Sequence, residues 1–208
     1  MALAVTASMS DAIRPAATVI LWRDGVSGPE ILMGQRGAAA AFMPSKYVFP
    51  GGGVDEADHA GDLPAGWIAP VCAARLALDS LVPTHALIAA AQRELSEETG
   101  LCLQPNPEMT FTFVFRAITP PGRSRRFDAR FFLAQAKAAQ GDHDGFTAAS
   151  GELSHLHWIG LAEARALDLP FITEVVLAEV TALLSGTPQT GVPFFDNSGQ
   201  VPTFRRLI

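Results

Sequence analysis

The sequence predicts an α+β fold: a mixed β-sheet covered by helices on its faces. Three observations lead there. Short β-type runs are interspersed with a few helical patterns in no regular alternation, unlike the βαβ repeats of a parallel sheet. One segment, 84–99, has a clear amphipathic helical period and a bounded start and stop. A glycine-rich turn, Phe49-Pro50-Gly51-Gly52-Gly53, lies upstream of that helix in the chain.

Taken in order, residues 16–22 read as a strand through Thr18, Val19, Ile20 and Leu21. Arg23-Asp24-Gly25 and Gly28-Pro29 read as a long loop before a second strand at 30–35. Residues 37–41 are small and flexible, and 47–49 make a short strand that runs into the glycine turn. A helix is expected over 71–81, with Pro70 suited to its first turn. The helix at 84–99 should be capped by Thr84 and stopped by Gly100, and should dock through Ile88, Ala91 and Leu95. Strands are expected at 111–118, 126–134 and 153–159, with the Pro120-Pro121-Gly122 turn between the first two. Residues 136–150 read as loop with some helix, 161–167 as a short helix and 173–184 as an amphipathic helix. The tail from Gly191, with Pro193-Phe194-Phe195, reads as packed loop.

Composition narrows the function classes. The chain has 208 residues, 49% hydrophobic and 17% charged, enough to bury a core in a single domain spanning 1–208. A net charge of -6 argues against a nucleic-acid surface. Cys72 and Cys102 form neither a disulfide framework nor a zinc spacing, which fits a reducing, cytoplasmic setting. Met1 to Ser10 lacks the basic region of a signal peptide, and no apolar run is long enough to span a bilayer. The expected partner is a small molecule, not a membrane; a homodimer is left open.

The stretch Arg93-Glu94-Leu95-Ser96-Glu97-Glu98-Thr99-Gly100-Leu101 carries the chemistry. On a helix, Glu94, Glu97 and Glu98 fall within an arc of roughly 100°. Like charges at these spacings repel, and the helix dipole makes the C-terminal turn a poor place for acids. A Glu-rich solvated face with an Arg93–Glu97 ion pair is the ordinary alternative. A hard, oxygen-seeking cation, Mg2+ or Mn2+, explains the crowding better. The glycine turn lets backbone approach a ligand closely and offers a carbonyl as a further ligand.

With these two segments in view, the chain resembles the Nudix hydrolase family over roughly residues 14 to 185. That family's box reads Gly, five residues, Glu, seven residues, Arg-Glu, an aliphatic, any residue, Glu-Glu, any residue, Gly, aliphatic. The second half is complete from Arg93 to Leu101, and the first half is recognisable in Phe49 to Gly53. Counting seven residues back from Arg93 places the first box acid at position 85, which is His85. Residues 53–84 then separate Gly52 from that position, 32 where the family usually has five. Asp55 and Glu56 are the alternatives for the displaced carboxylate, whose usual task is to support the loop. A long interruption of the box resembles the branch of peroxisomal coenzyme A diphosphatases. Arg36, Phe42-Met43-Pro44, Val48 to Gly52, Val54-Asp55, Thr119-Pro120, Arg125 to Asp128 and Arg130 to Ala134 carry that narrower likeness. The His-containing stretch of coenzyme A hydrolysing relatives is replaced by Ala38 to Ala41.

The resemblance implies an α/β/α sandwich with a mixed central sheet and a helical insertion at 56–83. It implies metal-dependent hydrolysis of a nucleoside diphosphate linked to another moiety, of coenzyme A, NADH or ADP-ribose type. Glu97 and Glu98, with the Gly52 carbonyl, would hold the metal, and Glu94 would hold a second metal or orient the water. Arg93 would fix a carboxylate, and Glu152 would complete the metal shell or act as base. Arg36, Arg125, Arg126 and Arg130 would meet the phosphates, since Arg recognises phosphate bidentately. The competing expectations are a nucleotide-sensing module that binds without cleaving, and an isomerase on the same fold.

Overall fold

A computed structural model describes residues 12–106 and 110–208; the reading of Met1 to Ser10 lies outside them. The strands are β1 (Ile13–Gly25), β2 (Gly28–Arg36), β3 (Tyr47–Val48), β4 (Gly51–Gly53), β5 (Cys102–Leu103), β6 (Thr112–Ile118), β7 (Arg126–Gln135), β8 (Ala139–Gln140), β9 (Leu153–Gly160), β10 (Val192–Asp196) and β11 (Thr203–Leu207). The α-helices are α1 (Pro70–Ala77), α2 (Thr84–Thr99), α3 (Leu161–Ala164) and α4 (Phe171–Leu184). Nine of the strands form one mixed sheet, ordered β11-β10-β6-β7-β1-β2-β3, with β4 beside β1 and β9 beside β2; β5 and β8 pair separately. The observed class is the expected α+β one.

β1 is the spine. Its Ala17, Val19 and Leu21 face the core under α1 and α2, while Ile20 faces the core under α4. Burial on both faces explains why the run reads as continuously apolar rather than alternating. Along Ile13 to Trp22 its first edge pairs in parallel with β7. Its second edge is shared: Ala16 to Thr18 pair with β4, and Trp22 to Gly25 pair with β2. β1 and β2 therefore splay apart toward one end, and the segment 47–53 fills the fork, β3 against β2 and β4 against β1. Val19 N–H donates to Pro50 O at 2.8 Å, which pins the turn between them.

Several expectations need correction. The β1–β2 connection is a two-residue turn at Val26-Ser27, with Gly25 opposite Gly28, because both strands extend into the residues read as loop. The tail is two strands. β10 pairs in parallel with β6, Phe194 is buried there, and Arg116 and Arg205 stack on its ring at 4.3 and 4.6 Å. An apolar run of only four residues containing a proline hid that strand. Pro83, not Thr84, occupies the N-cap of α2, and no side chain caps it; Gly100 ends the helix in the left-handed region at φ 74°.

Residues 59–83 leave the fork and return to α2. Trp67, Ile68, Cys72 and Leu76 join the core on the α2 face. The next turn is clamped to the sheet: Arg116 donates to Leu78 O and Asp79 O at 3.1 and 3.0 Å, and Arg130 donates to Ser80 Oγ at 3.1 Å. No described helix is long and apolar enough to cross a membrane.

The fork leaves no room for a side chain at Gly51. Its φ is 154°, and an added Cβ would lie 2.5 Å from Ala17 O and 2.6 Å from Thr18 Cα. Gly51→Ala is expected to cost about 2 kcal/mol or more, read as a lower denaturant midpoint at unchanged slope.

Candidate active site

The fork sets the glycine turn against the last two turns of α2. Gly51 N–H donates to Glu98 Oε2 at 2.7 Å. Gly52 lies so close to Glu94 that a Cβ there would sit 2.3 Å from Oε1. The absence of a side chain at position 52 therefore shapes the seat of a carboxylate. The C-terminal end of the helix is finished internally, Thr99 Oγ1 donating to Leu95 O and receiving Leu101 N–H.

Arg93 binds the two segments together. Its Nη2 donates to Gly53 O and to Asp58 Oδ2, both at 2.8 Å, and its Nε to Asp58 Oδ1 at 3.1 Å. Nη1 reaches Glu94 Oε1 at 2.9 Å and Glu97 Oε2 at 3.3 Å. The hydrogen bonds to Asp58 and Glu94 outweigh burial and lock the guanidinium in its charged form. Asp58 is 5% exposed. Burial resists its ionisation, yet the hydrogen bonds from Arg93 and from Asp55 N–H prevail and hold its carboxyl below the usual range.

At Glu98 and Glu94 such contacts do not outweigh burial. Glu98 is 2% exposed. Burial pushes its pKa up to about 8; the Gly51 N–H and Arg36 pull it down, and the charges of Glu94 and Glu152 push it further up. Glu94 is raised as well, by burial first and then by Glu97 and Glu152 against the pull of Arg93. Glu97 is half exposed, and its backbone O accepts Ser150 N–H at 2.9 Å, which draws the loop before β9 onto the helix end. That loop delivers Glu152, whose Oε1 meets Arg36 Nη2 at 3.4 Å. Glu94, Glu97, Glu98 and Glu152 thus share one field, with Arg36 at its rim.

This donor set fits a hard divalent cation in chemistry and in charge. All the donors are oxygens, and the mutual repulsion of the carboxylates is what a cation would relieve. Among the described residues, however, no three His, Cys, Asp or Glu side chains converge as a closed cage.

Residues 80–180 match the family model for the NUDIX domain. A Nudix hydrolase from Alicyclobacillus acidocaldarius superposes with a TM-score of 0.59 at 22% identity, covering 86% of this chain and 94% of that one. The NUDIX domain of Shewanella oneidensis NrtR, solved with ADP ribose, gives 0.53 at 15% identity over 83% and 89%. A NUDIX hydrolase from Nitrosomonas europaea gives 0.52 at 13% identity over 82% and 90%. The chain has the Nudix fold. No curated protein matches the sequence.

Upstream of the matched residues, Asp58 corrects the reading of the box. With five residues between it and Gly52, the spacing of the box, the chain has Asp58, and this side chain grips Arg93. The interruption therefore falls between Asp58 and Arg93, residues 59–92, rather than between Gly52 and position 85. His85 is not a substitute acid; its Nε2 lies 3.1 Å from His59 O. Asp55 approaches Arg93 only at 3.7 Å. Counting forward from the glycine as well as back from the arginine would have found Asp58.

Not every phosphate-binding candidate reaches the acidic end of α2. Arg36 does. Arg125 is exposed on the turn before β7. Arg126 is 6% exposed and donates to Thr119 O and Asn197 O. Arg130 is 1% exposed and shares Asp128 with Arg116. Burial drives its pKa down to about 10 despite Asp128. Arg126 and Arg130 are thus structural in this arrangement: alternation along β7 turned them inward, beneath the 78–80 turn in the case of Arg130. Two concavities of about 300 and 350 Å³ border Asn106 and Lys137, and neither is lined by the acids of α2.

Two outcomes follow. A carboxyl whose pKa is raised on folding favours the fold at low pH and opposes it as pH climbs through the raised value. Metal-free Glu98→Gln should therefore melt like the parent near pH 4.5 and above it beyond pH 8, by calorimetry across pH. Asp58→Ala strands the Arg93 guanidinium, and should cost about 3 kcal/mol in chemical denaturation.

Proposed function

We propose that this protein is a divalent-metal-dependent hydrolase that cleaves the diphosphate linkage of a nucleoside diphosphate joined to another moiety. The observation that carries the reading is Glu98: a buried carboxylate, held by a backbone N–H, with two further carboxylates raising its proton affinity. Such a group is costly unless a cation joins it. Glu94, Glu97 and Glu98 would hold Mg2+ or Mn2+, with Gly52 O and Glu152 completing the oxygen shell. The cation, when bound, supplies charge neutralisation at the diphosphate and activates water.

The chain's own residues do the rest. Arg93 keeps the glycine turn and the helix in register, so that Glu94 and Glu98 stay on facing sides of Gly51-Gly52. Arg36 offers its guanidinium to a phosphate oxygen at the rim. Glu152, the most exposed of the acids around Arg36 and Glu98, would complete the metal shell or, in its place, take the proton of the attacking water. Coenzyme A, NADH and ADP-ribose are the substrate types to test; the NrtR NUDIX domain, solved with ADP ribose, supports the last. The 59–83 segment, clamped over the sheet beside the fork, is the part of the chain suited to select the leaving group.

The purified chain should release a nucleoside monophosphate from one of these substrates in Mn2+ and none in EDTA. Glu97→Gln and Glu98→Gln should each lower kcat at least 100-fold. Metal-independent turnover, or turnover indifferent to both substitutions, would overturn the reading.

A further inference from the structure

Arg36 and Glu152 come from elements far apart in sequence and meet by register. β2 and β9 pair with Arg36 opposite Leu153, which sets the preceding residue, Glu152, beside the end of β2. The contact is loose: one oxygen, one nitrogen, 3.4 Å, with the Glu152 side chain 59% exposed. The arginine is less at ease than the pair suggests. Its Nε is buried and has no hydrogen-bond partner among the described residues, although the head group as a whole is 21% exposed. Glu152 is also divided. Its charge bears on Glu94 and Glu98, so a cation entering that cluster would attract it away from Arg36. A single exposed contact is worth little in free energy, which makes it easy to exchange. An arginine with an unmet donor is ready for a doubly charged, bidentate partner.

We propose that Arg36 and Glu152 are an exchange pair: in the empty protein Arg36 occupies Glu152, and on loading Glu152 turns to the cation while Arg36 takes an oxygen of the substrate diphosphate. The inference rests on the hydrolase reading and adds to it an order of events. Metal and diphosphate each release the partner that the other needs, so their binding is coupled through one ion pair. Arg36 competes with the metal before substrate arrives and supports it afterwards.

The test is Mn2+ binding by calorimetry on the full chain, alone and with the methylene analogue of ADP-ribose, whose diphosphate bridge resists cleavage. Without the analogue, Arg36→Gln should tighten Mn2+ about two- to fivefold, the range an exposed ion pair supports. Glu152→Gln should weaken Mn2+, and adding Arg36→Gln to it should change nothing further, because the competing contact is already gone. With the analogue bound, the sign for Arg36→Gln should reverse, and the analogue itself should bind more weakly. An unchanged or weaker Mn2+ affinity in Arg36→Gln alone, or equal effects of Arg36→Gln with and without Glu152, would overturn the exchange. Arg36→Lys, which keeps charge but not the fork, should retain the competition with Mn2+ seen without the analogue but not the analogue affinity. Absence of any Mn2+ binding by the parent protein would instead refute the hydrolase reading itself.

Discussion

The Arg93 guanidinium is the constraint on which the site depends. It is a side chain of α2, yet most of its hydrogen bonds leave the helix: Gly53 O belongs to the segment that fills the β1–β2 fork, and both oxygens of Asp58 to the short 3-10 turn that follows it. Apart from it, the helix end and the glycine turn are tied by the Gly51 N–H bond to Glu98. The planar fork is essential here, since a point charge cannot meet a carbonyl and a carboxylate side-on at once. The same residue contacts Glu94 and Glu97, so the one cation that fixes the backbone also offsets part of the acidic crowding.

Around that knot the sheet is organised to hold a gap open. β1 gives one edge to β7 over ten residues and divides the other between β4 and β2. A fork in a sheet leaves backbone groups unpaired unless something enters it, and the 47–53 segment does so. Chemistry sits where regular pairing is interrupted. The 59–83 segment is fastened by separate means, Arg116 of β6 reaching Leu78 O and Asp79 O and Arg130 of β7 reaching Ser80 Oγ, so that one arginine expected at the phosphates is spent on this clamp.

Much of this was legible in the sequence because it rests on local signals. The acids of α2 and Gly100 declare a helix with a charged last turn, and the consecutive glycines declare a close approach. What escaped was non-local. Asp58 was overlooked because spacing was counted from the arginine alone, across a stretch that loops out and returns. The β10 strand escaped because four apolar residues with a proline carry no period; pairing with β6 and the stacking of Arg116 and Arg205 on Phe194 fix it, and β11 is a strand through its pairing with β10. Arg126 and Arg130 look from sequence like any basic residues near a turn; which face of β7 they occupy is decided by register with β1.

The scattered origin of the site has a bearing on how the protein comes to be competent. Arg36 and Glu152 are 116 residues apart, Gly51 and Glu98 are 47, and Arg93 and Asp58 are 35. No fragment of the chain contains the assembly, and each of these closures costs chain entropy before it returns any contact. Sheets closed by such distant pairings form late and slowly. A cation would therefore arrive at a nearly finished molecule and not guide its formation, in contrast to small metal-nucleated domains that fold around their ion. Maturation on the ribosome must wait for β9, so the charged helix end is synthesised, and left without its partner loop, well before the last acid reaches it.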